Sequence, residues 1–139
     1  MGMLDELADE INRTATEHGF WDKERNFGEM MMLATSELAE ALEEHRDGRP
    51  PIYYRTSFTS QAKWWHRLAA HFVKAPTFVD WLVEKGYCNR KPEGVAVELA
   101  DCIIRCLDTM HSLGVSIDGV VRMKMEYNKS RPFKHGKAY

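Results

Sequence analysis

The chain has 139 residues, 44% of them hydrophobic and 29% charged, with a formal net charge of −2. These are the proportions of one ordinary globular domain. They give no case for general nucleic-acid binding, and no apolar run approaches the roughly 20 residues of a membrane span. The cysteines, Cys88, Cys102 and Cys106, are odd in number and unpaired in spacing, so a disulfide framework is not expected. Cys102 and Cys106 read as small core residues, and the further ligands of a structural zinc site are lacking. The acidic start, with Asp5, Glu6, Asp9 and Glu10, is not signal-peptide chemistry. A cytoplasmic protein without membrane or nucleic-acid-polymer partners is expected.

Leu4, Leu7, Ala8, Ile11 and Ala15 make a 3-4-3-4 stripe, so the first helix spans about Met3–Glu17 and Gly19 stops it. A connector carrying Trp21 and Asn26 follows. The second helix spans about Phe27–His45, with Met30, Ala34, Leu38, Ala41 and Leu42 as its apolar stripe. Asp47-Gly48-Arg49-Pro50-Pro51 ends it. In the less regular stretch Ile52–Lys91, a helix is expected over Ser60–Lys74 and a short one from Pro76 to about Lys85; Tyr53-Tyr54 is the only weak strand candidate. The next helix begins at Pro92 or Glu93 and ends at Gly114. Ser116 then caps a last helix that stops at about Ser130, before Pro132. The expected fold is all-α, a single domain over 1–139.

Two carboxylate pairs stand out on these helices: Glu37-x-x-Glu40 and Glu98-x-x-Asp101. Between Val95 and Leu107 the only charged residues are Glu98, Asp101 and Arg105; the rest are Val, Ala, Leu, Ile or Cys. A helix apolar on nearly all sides is expected to be buried. Buried carboxylates must be paired, protonated or metal-bound. Residues three apart share a helix face, so two facing helices would gather four acids around one volume. One nearby Arg does not balance them, and Mg²⁺ does, with open positions for water or substrate oxygens. An exposed E-x-x-E is commonplace, so the argument rests on the two pairs together. Glu43 and Glu44 extend the first acidic face, as surface groups or as a further ligand or base.

The end of the chain is basic: from Arg122 to Tyr139 there are six Lys or Arg against one acid, Glu126. Lys124, Tyr127, Asn128 and Arg131 fall at i, i+3, i+4 and i+7, one stripe of the last helix. Lys and Arg near a helix end are often no more than dipole partners. Opposite an acidic metal site the same stripe suits phosphate oxygens, and His135-Gly136-Lys137 adds cationic reach.

Glu37-x-x-Glu40 and Glu98-x-x-Asp101, followed by Lys124-x-x-x-Asn128-x-x-Arg131 and His135-Gly136-Lys137, resemble the MazG-like all-α nucleoside triphosphate pyrophosphohydrolases. The flanks Asn26-Phe27-Gly28-Glu29 and Pro92-Glu93-Gly94 agree. The likeness spans about Leu4–Glu44 and Lys91–Lys137. It implies a helical bundle completed by homo-oligomerisation, as dimers or tetramers. It also implies Mg²⁺-dependent cleavage of a nucleoside triphosphate, a deoxynucleotide or modified nucleotide included, to the monophosphate and pyrophosphate, with Mn²⁺ able to replace Mg²⁺. Glu37, Glu40, Glu98 and Asp101 would be the catalytic metal ligands, with Glu40 or a neighbouring Glu as the base. Lys124, Asn128, Arg131 and Tyr127 would meet the substrate, and Trp21 and Asn26 would line a base pocket.

The gap between Glu40 and Glu98 exceeds the family's short connection, so about 52–91 reads as a helical insertion. Its Trp64, Trp65, His66, His71 and Trp81 are expected to pack, with capping of the site or an oligomer contact as other uses. Two rival readings stand beside the hydrolase. A non-catalytic helical interaction module would use the acidic helix and aromatic insert as a partner surface. A di-metal redox bundle wants Glu-x-x-His repeats, and Asp108-x-x-His111 is the nearest approach.

Overall fold

A computed structural model of the chain describes residues 2–72 and 76–132. Among these, six helices and two strands run in the order α1 (Met3–Glu17), α2 (Phe27–Arg46), β1 (Tyr53–Phe58), α3 (Trp64–Phe72), α4 (Pro76–Glu84), β2 (Cys88–Glu93), α5 (Val95–Ser112) and α6 (Ile117–Ser130). The chain is mostly helical, as its apolar periodicity requires, but the all-α expectation needs correction for the two strands. His135-Gly136-Lys137 lies outside the described residues.

The chain divides into two compact units, Met1–Leu38 with Ala100–Tyr139, and Ala39–Leu99. The second unit is wider than the expected insertion, and its limits fall inside α2 and α5.

In the first unit, Ala8, Leu107 and Ile117 form the fully buried centre, with Leu4, Ile11, Met110 and Val121 packed against it. The α1 stripe read from the sequence supplies three of those seven residues, Leu4, Ala8 and Ile11. Helices α1 and α6 also cap one another. The first turn of a helix leaves its backbone N–H groups without intrahelical acceptors. Asp118 Oδ2 of α6 accepts from Leu4 N and Asp5 N at 2.9 and 3.1 Å. In return Asp5 Oδ1 accepts from Ile117 N at 2.6 Å, and Oδ2 from the Ser116 hydroxyl at 3.1 Å. Ser116 is the N-cap, as expected, its hydroxyl accepting from Gly119 N. Gly2 is required here because a Cβ would lie about 2.1 Å from Asp118 Cγ.

In the second unit, β1 and β2 pair antiparallel, from Tyr53 opposite Glu93 to Phe58 opposite Cys88, and α3 and α4 lie between them in the chain. Its fully buried side chains include Leu82, Cys88 and His66. The His66 ring stacks on Tyr87 at 4.1 Å between centroids and lies 3.6 Å from Trp65. Its Nδ1 accepts from Lys63 N. The packing expected of this insert holds for His66, whereas Trp64 stays exposed. Pro92 does not open α5; it sits in β2 opposite Tyr54, a strand with a free edge where Pro is tolerated. Gly94 (φ 115°) makes the turn into α5 against the Pro50 and Pro51 carbonyls, 2.7 and 2.6 Å from where a Cβ would stand.

A second correction concerns burial. Helix α5 was expected to be buried because it is apolar nearly all round. In the chain, Glu98 is 7% exposed while Ile103 is 57% exposed and Leu99 and Ile104 each 43%. Cys106 is likewise exposed and Cys102 only half-buried, not core. On α2, Met30, Ala34 and Ala41 are buried as the stripe predicts, but Leu38 and Leu42 are half exposed.

Candidate metal centre

Helix α2 begins where Asn26 Oδ1 accepts from Glu29 N at 3.2 Å. That N-cap fixes the register that turns Glu37 inward three turns later. Glu37 is 5% exposed. Asp101, half-buried, stands on α5. Glu98 lies one turn earlier on the same unbroken helix, so its place relative to Asp101 follows from helical geometry. One carboxylate oxygen each from Glu37, Glu98 and Asp101 can be chosen so that all lie within 4.8 Å of one another.

Arg105, one turn beyond Asp101, donates from Nε to Glu37 Oε1 at 2.6 Å. A charge-assisted bond this short holds the acid and guanidinium as a unit. Arg105 offsets the charge of Glu37 within this group. Hard oxygen ligands at this spacing suit Mg²⁺ or Mn²⁺, which demand oxygen donors and keep open positions for water or phosphate. The donor set therefore fits the expected cation.

The fourth expected ligand is not in the group. Glu40 is exposed and is not among the three gathered acids. Glu44 instead faces the insert, where Tyr53 Oη lies 3.3 Å from Glu44 Oε1 and 3.0 Å from Glu93 Oε2. Arg49 donates to that phenol at 2.7 Å. Glu43 is exposed.

A cavity of about 770 Å³ opens in the first unit, bordered by Asp101 and Arg105 together with Met30, Leu33, Ile104 and Asp108. Its size and mainly apolar lining are those of a small-molecule site. Asp108 is 7% exposed. Its Oδ1 accepts from Asn12 Nδ2 at 2.9 Å and from Trp21 Nε1 at 3.1 Å, and Trp21 also reaches Oδ2 at 3.2 Å. Trp21 thus acts behind the cavity, through Asp108, and Asn26 caps α2; neither borders the cavity directly. The Asp108-x-x-His111 pair is split between partners, since His111 Nε2 lies 3.2 Å from Asp9 Oδ1.

Lys124, Tyr127 and Asn128 stand on the exposed face of α6, with Arg131 at its end half-buried. The Lys124 ammonium and Arg131 guanidinium both lie over the Tyr127 ring, 5.0 and 6.0 Å from its centroid. The stripe is one cationic surface, as its spacing predicts, and no described hydrogen bond or ion pair joins it to the acids. Sequence reasoning passed over Arg105 and Asp108 as site residues. Their signal was present: positions 101, 105 and 108 share one face of α5.

No protein-family model, curated protein or solved structure matches the chain.

Proposed function

We propose that the chain hydrolyses nucleoside triphosphates, deoxynucleotides or modified nucleotides among them, to the monophosphate and pyrophosphate, using Mg²⁺ or Mn²⁺ held by Glu37, Glu98 and Asp101. The observation that carries this reading is the convergence of those three acids beside a cavity of nucleotide size. Glu37 and Glu98 are buried and Asp101 half-buried, a setting in which a divalent cation would offset the acids' charge, and the cavity next to Asp101 gives a ligand a place to lie.

The bound cation would screen the charge of the triphosphate and of the departing pyrophosphate. The chain's own groups do the rest. Asp101 and Arg105 border the cavity, so a phosphate entering there meets both an acid that orders the cation and a guanidinium that forks onto oxygen. Glu40, one turn from Glu37 and open to solvent, would be the base that takes a proton from water as its oxygen adds to the α-phosphorus. The bond from that phosphorus to the bridging oxygen breaks, and pyrophosphate leaves with the electron pair. Lys124, Asn128 and Arg131, with Tyr127 between the two cations, offer the phosphate-binding surface on α6. The exposed apolar face of α5 is the ground for homo-oligomerisation as a dimer or tetramer.

The test is pyrophosphate release from a panel of standard and modified triphosphates with Mg²⁺. The wild-type chain should turn over at least one of them. Glu98→Gln should lower that rate by about 100-fold or more, the scale on which catalytic electrostatic groups act, with its helical circular dichroism retained. Release of no pyrophosphate from any nucleotide would sink the hydrolase reading and leave the interaction module.

A further inference from the structure

The mechanism above makes no use of Asp108, yet of the acids lining the cavity it is the buried one. It is a carboxylate more than nine-tenths buried in mainly apolar surroundings, and its two described donors, Asn12 and Trp21, are both neutral. Burying an ion without a countercharge is unfavourable. An amide in its place would hold the same indole and shed the charge. An ionised carboxylate also has about four acceptor sites. Asn12 and the forked Trp21 contact occupy part of that capacity, and Asp108 borders the cavity with acceptor sites to spare.

The position is as telling as the chemistry. Asp108 lies seven residues beyond Asp101 on one straight face of α5, about 10 Å along the axis at 1.5 Å per residue. A nucleoside with its 5′-phosphate at Asp101 and Arg105 would extend its base towards Asp108. Among base edges, an exocyclic amino group donates to a carboxylate, as cytosine N4 and adenine N6 do, while the O4 of thymine or uracil presents lone pairs to it.

We propose that Asp108 sets the base preference of this cavity, accepting a hydrogen bond from an amino-bearing base and rejecting a base with a carbonyl at that place. This rests on the nucleotide reading above and adds to it the class of base. Trp21 and Asn12 are positioning residues, whose hydrogen bonds hold the carboxylate at the cavity wall.

The decisive pair of probes is dCMP and dUMP, which differ at position 4 by amino group against carbonyl. Titration calorimetry of each into the full chain with Mg²⁺ should show dCMP binding about tenfold or more tightly, the scale of one good base-edge contact. Asp108→Asn presents an amide that donates as well as accepts, and should erase or invert the ratio. Trp21→Phe removes a bond that holds the carboxylate, and should narrow the preference for dCMP over dUMP without inverting it. Equal affinities in the wild type, binding of neither nucleotide, or an equal loss for both in Asp108→Asn would overturn the proposal. Pyrophosphate release separates it from the activity it rests on. Equal kcat/KM for dCTP and dUTP would keep the hydrolase and remove the role of Asp108. Selective dCMP binding without pyrophosphate release from any nucleotide would do the reverse.

Discussion

The Glu37–Arg105 pair shows how one side chain offsets part of the charge of an acidic cluster. Glu37 is nearly buried and Arg105 is 38% exposed, so the pair lies between the surface limit, worth little, and the buried limit, where loss of one partner is severe. Replacing Arg105 by Gln leaves Glu37 beside Glu98 and Asp101 with less positive charge to offset them. Without divalent cation, the Arg105→Gln chain should melt on the order of 5 °C below wild type, matching roughly 1–2 kcal/mol for a domain of this size. Added Mg²⁺ should recover more stability in the variant than in wild type, because a cation that binds only the folded state stabilises by its occupancy and no longer competes with a guanidinium for Glu37 Oε1. A thermal melt with chelator and with Mg²⁺ measures both. An equal Mg²⁺ response in the two chains would mean that Arg105 does not share the cation's ligand. The paired acids were legible in the sequence because a three-residue spacing fixes a shared face. The exclusion of Glu40 was not, because which edge of that face turns inward depends on how α2 meets its neighbours.

At the scale of elements, the reciprocal capping of α1 and α6 makes each helix start depend on the other. Asp118→Ala removes the acceptor for Leu4 N and Asp5 N, and loss of such a cap costs about 1 kcal/mol; the melting temperature should fall by a few degrees with helix content unchanged. Asp5 adds a pH signature. Burial raises its carboxyl pKa, but hydrogen bonds at Ile117, Ser116, Asp118 and Gly2 outweigh it, and the net shift is below 3.8. A depressed folded-state value contributes stability above the unfolded pKa that is lost as pH falls through the folded one. Wild type should therefore melt above Asp5→Asn near neutral pH, and the difference should shrink under acid. A gap that widens on acidification would contradict the capping account. Helices such as α1 were readable to the residue because an amphipathic stripe and a stop signal are local. The strand pair was not. In Tyr53–Phe58 the four central residues are all exposed, so alternation is missing, and its partner Cys88–Glu93 holds Asn, Arg, Lys and Pro and lies beyond two helices. That strand pairing is fixed by contacts distant in sequence, such as Thr59 N to Tyr87 O, which no window of residues reveals.

At the scale of the whole molecule, the question is what covers α5. Leu99, Ile103 and Cys106 fall at i, i+4 and i+7 on one face of it, and all three are exposed. A core-like stripe held open to water is unfavourable by about 25 cal/mol for each Å² of apolar surface, and such contiguous apolar surface marks an interaction site. The sequence made this helix a buried one, and the single chain leaves it half wet. Both hold together when the missing cover is a second copy, which is the homo-oligomer proposed above. Sedimentation velocity should then show a species larger than 16.1 kDa. Ile103→Asp should return the chain to a monomer, because an uncompensated charge in such an interface removes several kcal/mol of association. A wild-type chain that sediments as a monomer at every concentration tested would leave α5 uncovered by its own kind. A monomeric Ile103→Asp chain that keeps its Mg²⁺-dependent rise in melting temperature would place the cation site within one protomer, since Glu37, Glu98 and Asp101 all belong to one chain. Loss of that rise on dissociation would instead mean that the partner's cover is what keeps water from the acids and their charges strong enough to hold a cation.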